Sequence, residues 1–365
     1  MHKYIRIMYL TVLCTAPAHT ISLPKSAQGM LKSITSWVQG VEEESIQKQF
    51  DIPATTKIVR IDHVGGTISL NFWKKKDILI ALKKRGSEES RKKTGLKEPL
   101  PVDGDTVSIA TYTDPEDPSI IDCTITLPET VVLDIHNGTG NMVIEKPTQA
   151  LTIALENGQL TVTNPQAPIT ATLAKGNIEV SGAQADMNLT LENGLISLTN
   201  PQEAVTVVMH QGTVSIDAPR GALDISVHHG QVELFNVMSK NIRVAVADGT
   251  VLLEQKDLAP TAALFIQATR DITVALPAST RAELIANTCK GTVTSQILCT
   301  LQIPPLRLTK EAWKRMPGHV HGMLGPRGAS STTTADGSLD AGQANEQFAS
   351  VTLESEKGDI AIEKF

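Results

Sequence analysis

The chain has 365 residues, 41% of them hydrophobic and 20% charged, with a formal net charge of −6. That balance excludes a disordered chain, and it excludes a protein that binds nucleic acid through overall positive charge. Aromatic residues are scarce, at 6 Phe, 3 Trp and 3 Tyr, so the core must interlock branched aliphatics, which suits β-strands. Four cysteines are too few for a disulfide scaffold.

Residues 1–18 are expected to be an export signal. Basic His2, Lys3 and Arg6 precede an apolar stretch from Ile7 to Leu13, and Ala16-Pro17-Ala18 supplies a small-x-small cleavage site. Cys14 does not complete a lipoprotein box, because bulky Leu13 stands where a small residue is needed. Nothing later approaches the roughly 18 apolar residues of a membrane-spanning helix. The product is therefore expected to be exported, to the periplasm, the cell envelope or the cell surface. Residues 19–45 read as a linker or amphipathic helical segment, with Met30, Ile34, Trp37 and Val41 at helical spacing and suited to cap the following domain.

Residues 46–365 read as one β-solenoid domain. Gly66-Thr67-Ile68-Ser69-Leu70 is its first unit, followed by a basic segment at 74–97, expected to be a hairpin. From Gly140 the sequence repeats: Gly158, Gly176, Gly194, Gly212 and Gly230 follow at intervals of 18 residues, and Gly249 after 19. Aligning the repeats from Leu151 turns alternation into columns. Leu151, Ile153, Leu155, Leu160 and Val162 have apolar counterparts in each of the next four repeats. The chance of this is on the order of 10⁻¹⁰ at the chain's background composition. The positions between them, such as Thr152, Thr170, Asn188, Thr206 and Asp224, are polar and should face water.

Period-2 alternation inside a fixed long period predicts coils of a parallel β-solenoid, each a rung about 4.8 Å from the next, burying a continuous aliphatic ladder. The left-handed hexapeptide helix also uses about 18 residues per coil, but its one aliphatic in six does not match the spacing here of 2, 2, 5, 2. Glycine permits the corner a side chain would resist, and Asn164-Pro165, Asn200-Pro201 and Ala218-Pro219 mark the opposite bend. Weaker copies at Asp271–Val274, Gly291–Val293 and Gly358–Ile362 extend the stack to about eleven rungs, roughly 50 Å. Residues 303–348 interrupt it as a long loop insertion.

The order Phe50, Gly65-Gly66-Thr67-Ile68-Ser69-Leu70, Trp73, a Lys-rich strand, Cys123-Thr124-Ile125-Thr126-Leu127-Pro128, His136-Asn137-Gly138-Thr139-Gly140, the serial glycine repeats and the terminal Leu353–Ile362 unit resembles the bacterial β-strand-repeat family labelled "putative adhesin", a domain of unknown function. The resemblance covers about residues 44–365. It implies a parallel β-solenoid exported to the envelope and carries no catalytic residues.

Candidate sites are few. Outward Glu156, Glu179, Glu192, Asp224 and Glu233 raise a carbohydrate-active β-helix enzyme, but no two are spaced as an acid/base pair, and no aromatic stands between Tyr112 and Phe235 to form a sugar platform. Glu192, His210 and His228 share one column before the glycine corner, which raises an envelope-stress or metal sensor; His319 and His321 form a second pair in what reads as a loop. The basic segment offers Lys74, Lys75, Lys76, Lys83, Lys84, Arg85, Arg91, Lys92 and Lys93 as contacts for an anionic polymer or a protein. Cys289 and Cys299 are the candidate disulfide, and Cys123 should sit on a strand as a small hydrophobe. No catalytic group and no cofactor are expected. The leading expectation is a non-enzymatic scaffold, adhesion or interaction module.

Overall fold

The computed structural model describes residues 43–116, 119–255, 261–277, 282–288, 293–296, 299–301, 319–324 and 349–364. The expected signal peptide, the amphipathic segment 26–41 and Cys289 lie outside the described residues. The described chain is an all-β parallel solenoid. Its strands are β1 (Glu43–Asp51), β2 (Ile58–Gly65), β3 (Ile68–Trp73), β4 (Asp77–Arg85), β5 (Gly95–Asp103), β6 (Thr106–Tyr112), β7 (Ile120–Pro128), β8 (Val132–Glu145), β9 (Leu151–Thr163), β10 (Ile169–Ser181), β11 (Met187–Thr199), β12 (Val205–Asp217), β13 (Leu223–Val237), β14 (Asn241–Gln255), β15 (Ala263–Ala268), β16 (Ile272–Leu276), β17 (Ala282–Thr288), β18 (Val293–Ser295), β19 (Cys299–Leu301), β20 (His319–Leu324), β21 (Ala349–Ser355) and β22 (Ile360–Lys364), with one short helix, α1 (Glu88–Lys92), among the described residues.

From β8 to β14 each coil is one long strand bent at its glycine, and each pairs in parallel, in register, with the next: Leu173 lies opposite Leu191, Gly176 opposite Gly194, Ile178 opposite Ile196. The five expected inward columns are the core. Leu191 is 1% exposed, Ile196 0% and Val207 0%, while Thr170, Asn188 and Thr206 between them are exposed. Each aliphatic meets its own kind one rung above and below, which is how a core with so few aromatics fills its volume.

Both bends follow from backbone geometry. At the corner Gly194 has φ 146°, and a β-carbon there would overlap the carbonyl oxygen of Gly176 in the preceding coil, so only glycine fits. The second bend uses a left-handed residue at every coil: Asn164 (φ 49°), Gly182 (65°), Asn200 (55°), Ala218 (53°) and Asn236 (50°). Asparagine tolerates that region through its short polar side chain. The backbone ladder continues round this bend, with Asn164 N–H donating to Ser181 O at 2.7 Å and Asn200 N–H to Asp217 O at 2.8 Å, so the turns leave no orphaned amides there.

Chain order and stack order part company at both ends. β2 and β3 lie between β8 and the later-sequence pair β6 and β7, since β2 pairs with β6 and β8 and β3 with β7 and β8. At the other end β21 pairs with both β15 and β17, and β22 with β16 and β18. The terminal unit is therefore inserted before the 282–295 rung instead of following it. The segment 303–348 is not wholly loop: β20 runs antiparallel to β17 and β19. The basic segment is not a hairpin either. β4 pairs antiparallel with β1 and β7, β5 pairs with β6, and α1 joins β4 to β5.

Leu191→Asp places an unpaired carboxylate against Leu173 and Met209 in a column with no polar neighbour. It should cost at least about 4 kcal/mol and collapse the cooperative thermal melt followed by circular dichroism; an unchanged melt contradicts the column assignment.

Candidate functional site

Because alternate residues of every strand are committed to the ladder, chemistry is left to the outward columns, the corners and any place where the ladder is broken. On the outer face just before the glycine corner, two cavities run along the stack. The larger, about 880 Å³, is lined by outward residues of successive rungs including Thr190, Glu192, Val208, His210, Ser226, His228, Gln267, Glu354 and Glu356. The smaller, about 480 Å³, continues from Thr190 and Glu192 through Thr172, Glu156 and Ala154 to His136 and Asp62. Shared Thr190 and Glu192 make the two one groove. Its walls carry carboxylates and imidazoles, and among the described residues neither cavity is lined by lysine or arginine. Val208, 49% exposed, supplies apolar surface near its middle.

The sequence-expected trio is brought to this groove but not into a ligand sphere. The His210 and His228 rings stack at 5.0 Å between centroids, and Glu192 lines the same cavity one rung before His210. His229, the next residue along β13, stands edge-on to His228 at 4.2 Å and 3.4 Å from Asp248, which also binds Arg270 at 3.0 Å. Among the described residues no three His, Cys, Asp or Glu side chains converge as a metal site. Of the other outward carboxylates, Glu156 lines the groove, whereas Glu179, Asp224 and Glu233 line neither cavity. His319 and His321 lie on strand β20 and not in a loop.

The basic segment is partly structural. Lys84 is 5% exposed; its ammonium donates to Arg91 O at 3.2 Å and pairs with Glu44 at 3.6 Å. Lys83 pairs with Glu43 at 2.6 Å, Arg85 with Asp122 and Lys92 with Glu88 at 2.6 Å. Lys93 pairs with Asp114 at 2.7 Å, a hydrogen bond that holds the Asp114 carboxyl below its usual range. Arg91 is 8% exposed. These pairs tie α1 and β4 to β1 and to the loop after β6. Lys74, Lys75 and Lys76 are exposed, with the Lys75 ammonium 4.5 Å from the Trp73 ring centroid. An array of nine free cations is thus not what the fold presents.

Sequence reasoning missed a break in the ladder. The column three residues before the corner runs Leu155, Leu173, Leu191, Met209, Val227, but on the preceding rungs it holds Asn137 and, opposite it by register, His63, with Thr111 hydrogen-bonded to His63 on the rung beyond. All three are buried, at 3%, 4% and 7% exposure. Counting back three from Gly140 and Gly66 would have found the first two. Cys123 is buried and free, and burial pushes its thiol up to about 12, so it is an inert core residue. Cys299 lies on β19; its expected partner Cys289 is outside the described residues.

The family model described as Toastrack DUF4097 matches residues 74–302, more than half the chain. The chain belongs to this family. Among solved structures it is similar to a "putative cell adhesion protein" from Clostridium sporogenes, at 13% identity over 89% of this chain and 100% of that one, with a TM-score of 0.21. It is similar also to a "putative adhesin" from Bacteroides fragilis, at 13% identity over 89% and 99%, TM-score 0.25. A third, from Parabacteroides merdae, shares 8% identity over 88% and 96%, TM-score 0.28. No curated protein matches.

Lys84→Ala removes a buried ammonium together with its bond to Arg91 O and its pairing with Glu44, so it should cost about 2 kcal/mol. Joint replacement of Lys74, Lys75 and Lys76 by Ala should leave the midpoint of urea unfolding unchanged. Equal effects of the two changes would contradict this division of the segment.

Proposed function

We propose that this Toastrack protein is an exported, non-enzymatic interaction module of the cell envelope, and that it holds its partner in the groove before the glycine corners. The observation that carries this reading is the continuity of the groove across the stack. Side chains arrive there at the rung spacing from one coil after another, a form suited to an extended ligand and not to a single reacting bond. Carboxylates and imidazoles, with no lysine or arginine among the described lining residues, favour a partner that presents positive charge or hydrogen-bond donors. The exposed Lys74–Lys76 turn remains a secondary contact for anionic groups. The export signal expected over residues 1–18 supports a place for the module outside the cytoplasm.

The test is co-sedimentation of the purified mature chain with envelopes isolated from its own host. Val208→Arg sets a long cationic side chain in the middle of the groove and should weaken binding about tenfold or more. Ile120→Arg alters a residue 54% exposed outside both cavities and should bind as the parent does. Equal binding by all three proteins overturns the groove assignment, and no binding by the parent overturns the module.

A further inference from the structure

The break in the aliphatic ladder stands where the regular coils meet the N-terminal elements. His63 of β2 lies between Thr111 of β6, to which it is hydrogen-bonded, and Asn137 of β8, its partner in register. Its Nδ1 is 2.9 Å from the Thr111 hydroxyl, but Nε2 has no partner in hydrogen-bond geometry, and neither do Oδ1 and Nδ2 of Asn137. Two adjacent rungs thus bury unsatisfied polar atoms in a column that is aliphatic from Leu155 to Ala268, which weakens this layer relative to its neighbours. The matching break at the far end is not weak in this way: Ser355 occupies the same column next to Ala268, and its hydroxyl bonds Arg270 O at 2.8 Å and Gly358 O at 3.0 Å.

We propose that the β6–β2–β8 layer is an acid-opened joint: a proton taken up by His63 parts this layer while the glycine-cornered coils β9 to β13 stay closed. The charged groups around the ring do not stabilise it enough to prevent this. Asp122 on β7 is the acidic group acting on it, and its charge is shared with Arg85 of β4. Thr111 and Asn137 are neutral, and Asp62 and Val64, the neighbours of His63 on β2, alternate to the outer side. Burial holds the imidazole down to about 4 from its ordinary 6.5, outweighing the Ile121 and Gly65 backbone groups and Asp122, which favour the proton. A ring that binds its proton less tightly when folded than when exposed makes acid favour the open form: closure is fully stabilised above 6.5 and loses that stabilisation as pH falls towards 4.

Hydrogen–deuterium exchange of the whole chain at pH 7 and pH 5, corrected for the intrinsic pH dependence of amide exchange, tests the joint. Protection of β2, β6 and β8 should fall about twenty-fold between pH 7 and pH 5, with β10 to β13 unchanged. H63L, which continues the ladder with the residue found at Leu155, and H63Q, which keeps a polar group that cannot titrate, should each abolish the fall. A uniform loss along the stack, no loss at the joint in the parent chain, or a loss that persists in either variant overturns the proposal. The parent measurement decides the first two outcomes by itself, whether or not a variant folds.

Discussion

The close approach of main chain to main chain at the glycine corners sets the terms for everything else in this solenoid. Gly140, Gly158, Gly176, Gly194, Gly212 and Gly230 share one column, all with φ between 135° and 151°, and a β-carbon on any of the last five would overlap the carbonyl oxygen of the glycine one coil earlier. Because the corners stack without side chains, the arms on either side stay in register. Register then puts like aliphatics over like, and that repetition makes a core possible with almost no aromatic volume. The outward columns inherit the same order, so the groove is as regular as the core behind it.

The interior of the stack could be read from sequence because a fixed period leaves little freedom: once Gly158 and Gly176 are aligned, Leu155 must stand beside Leu173. The ends could not. Units such as Gly358–Ile362 and Asp271–Val274 carry the same alternation, and nothing in a two-strand pattern says which neighbour a rung will choose, so the insertion of β21 and β22 before the 282–295 rung had no local signal. The basic segment misled for a related reason. Charge in a sequence does not reveal partners, and Glu43, Glu44, Asp114 and Asp122, which pair with Lys83, Lys84, Arg85 and Lys93, lie 20 or more residues away in the chain. The left-handed residue before each Pro of the second bend had a signal, the recurrent Asn, that proline overshadowed.

The candidate site divides the same way. Glu192, His210 and His228 were placed on one face by the repeat alone, and the structure adds that the face is concave and continuous with the groove toward Asp62. Their closeness does not make a metal centre, because side chains that rise in file from parallel rungs point alongside one another and do not converge on a point. His63 and Asn137 are the reverse case: their column was calculable from Gly66 and Gly140, but their unsatisfied burial depends on Thr111, which reaches the column only because β6 stacks outside β2.

The corner itself is tested most directly by replacing single glycines. Thermal unfolding of Gly194→Ala should fall well below that of the parent, because the substitution demands both a backbone conformation alanine resists and space already filled by Gly176. Gly104→Ala, where no atom lies within 4 Å of the added carbon, should melt with the parent. Equal melting of both variants would contradict the claim that main-chain contact at the glycine column organises the fold.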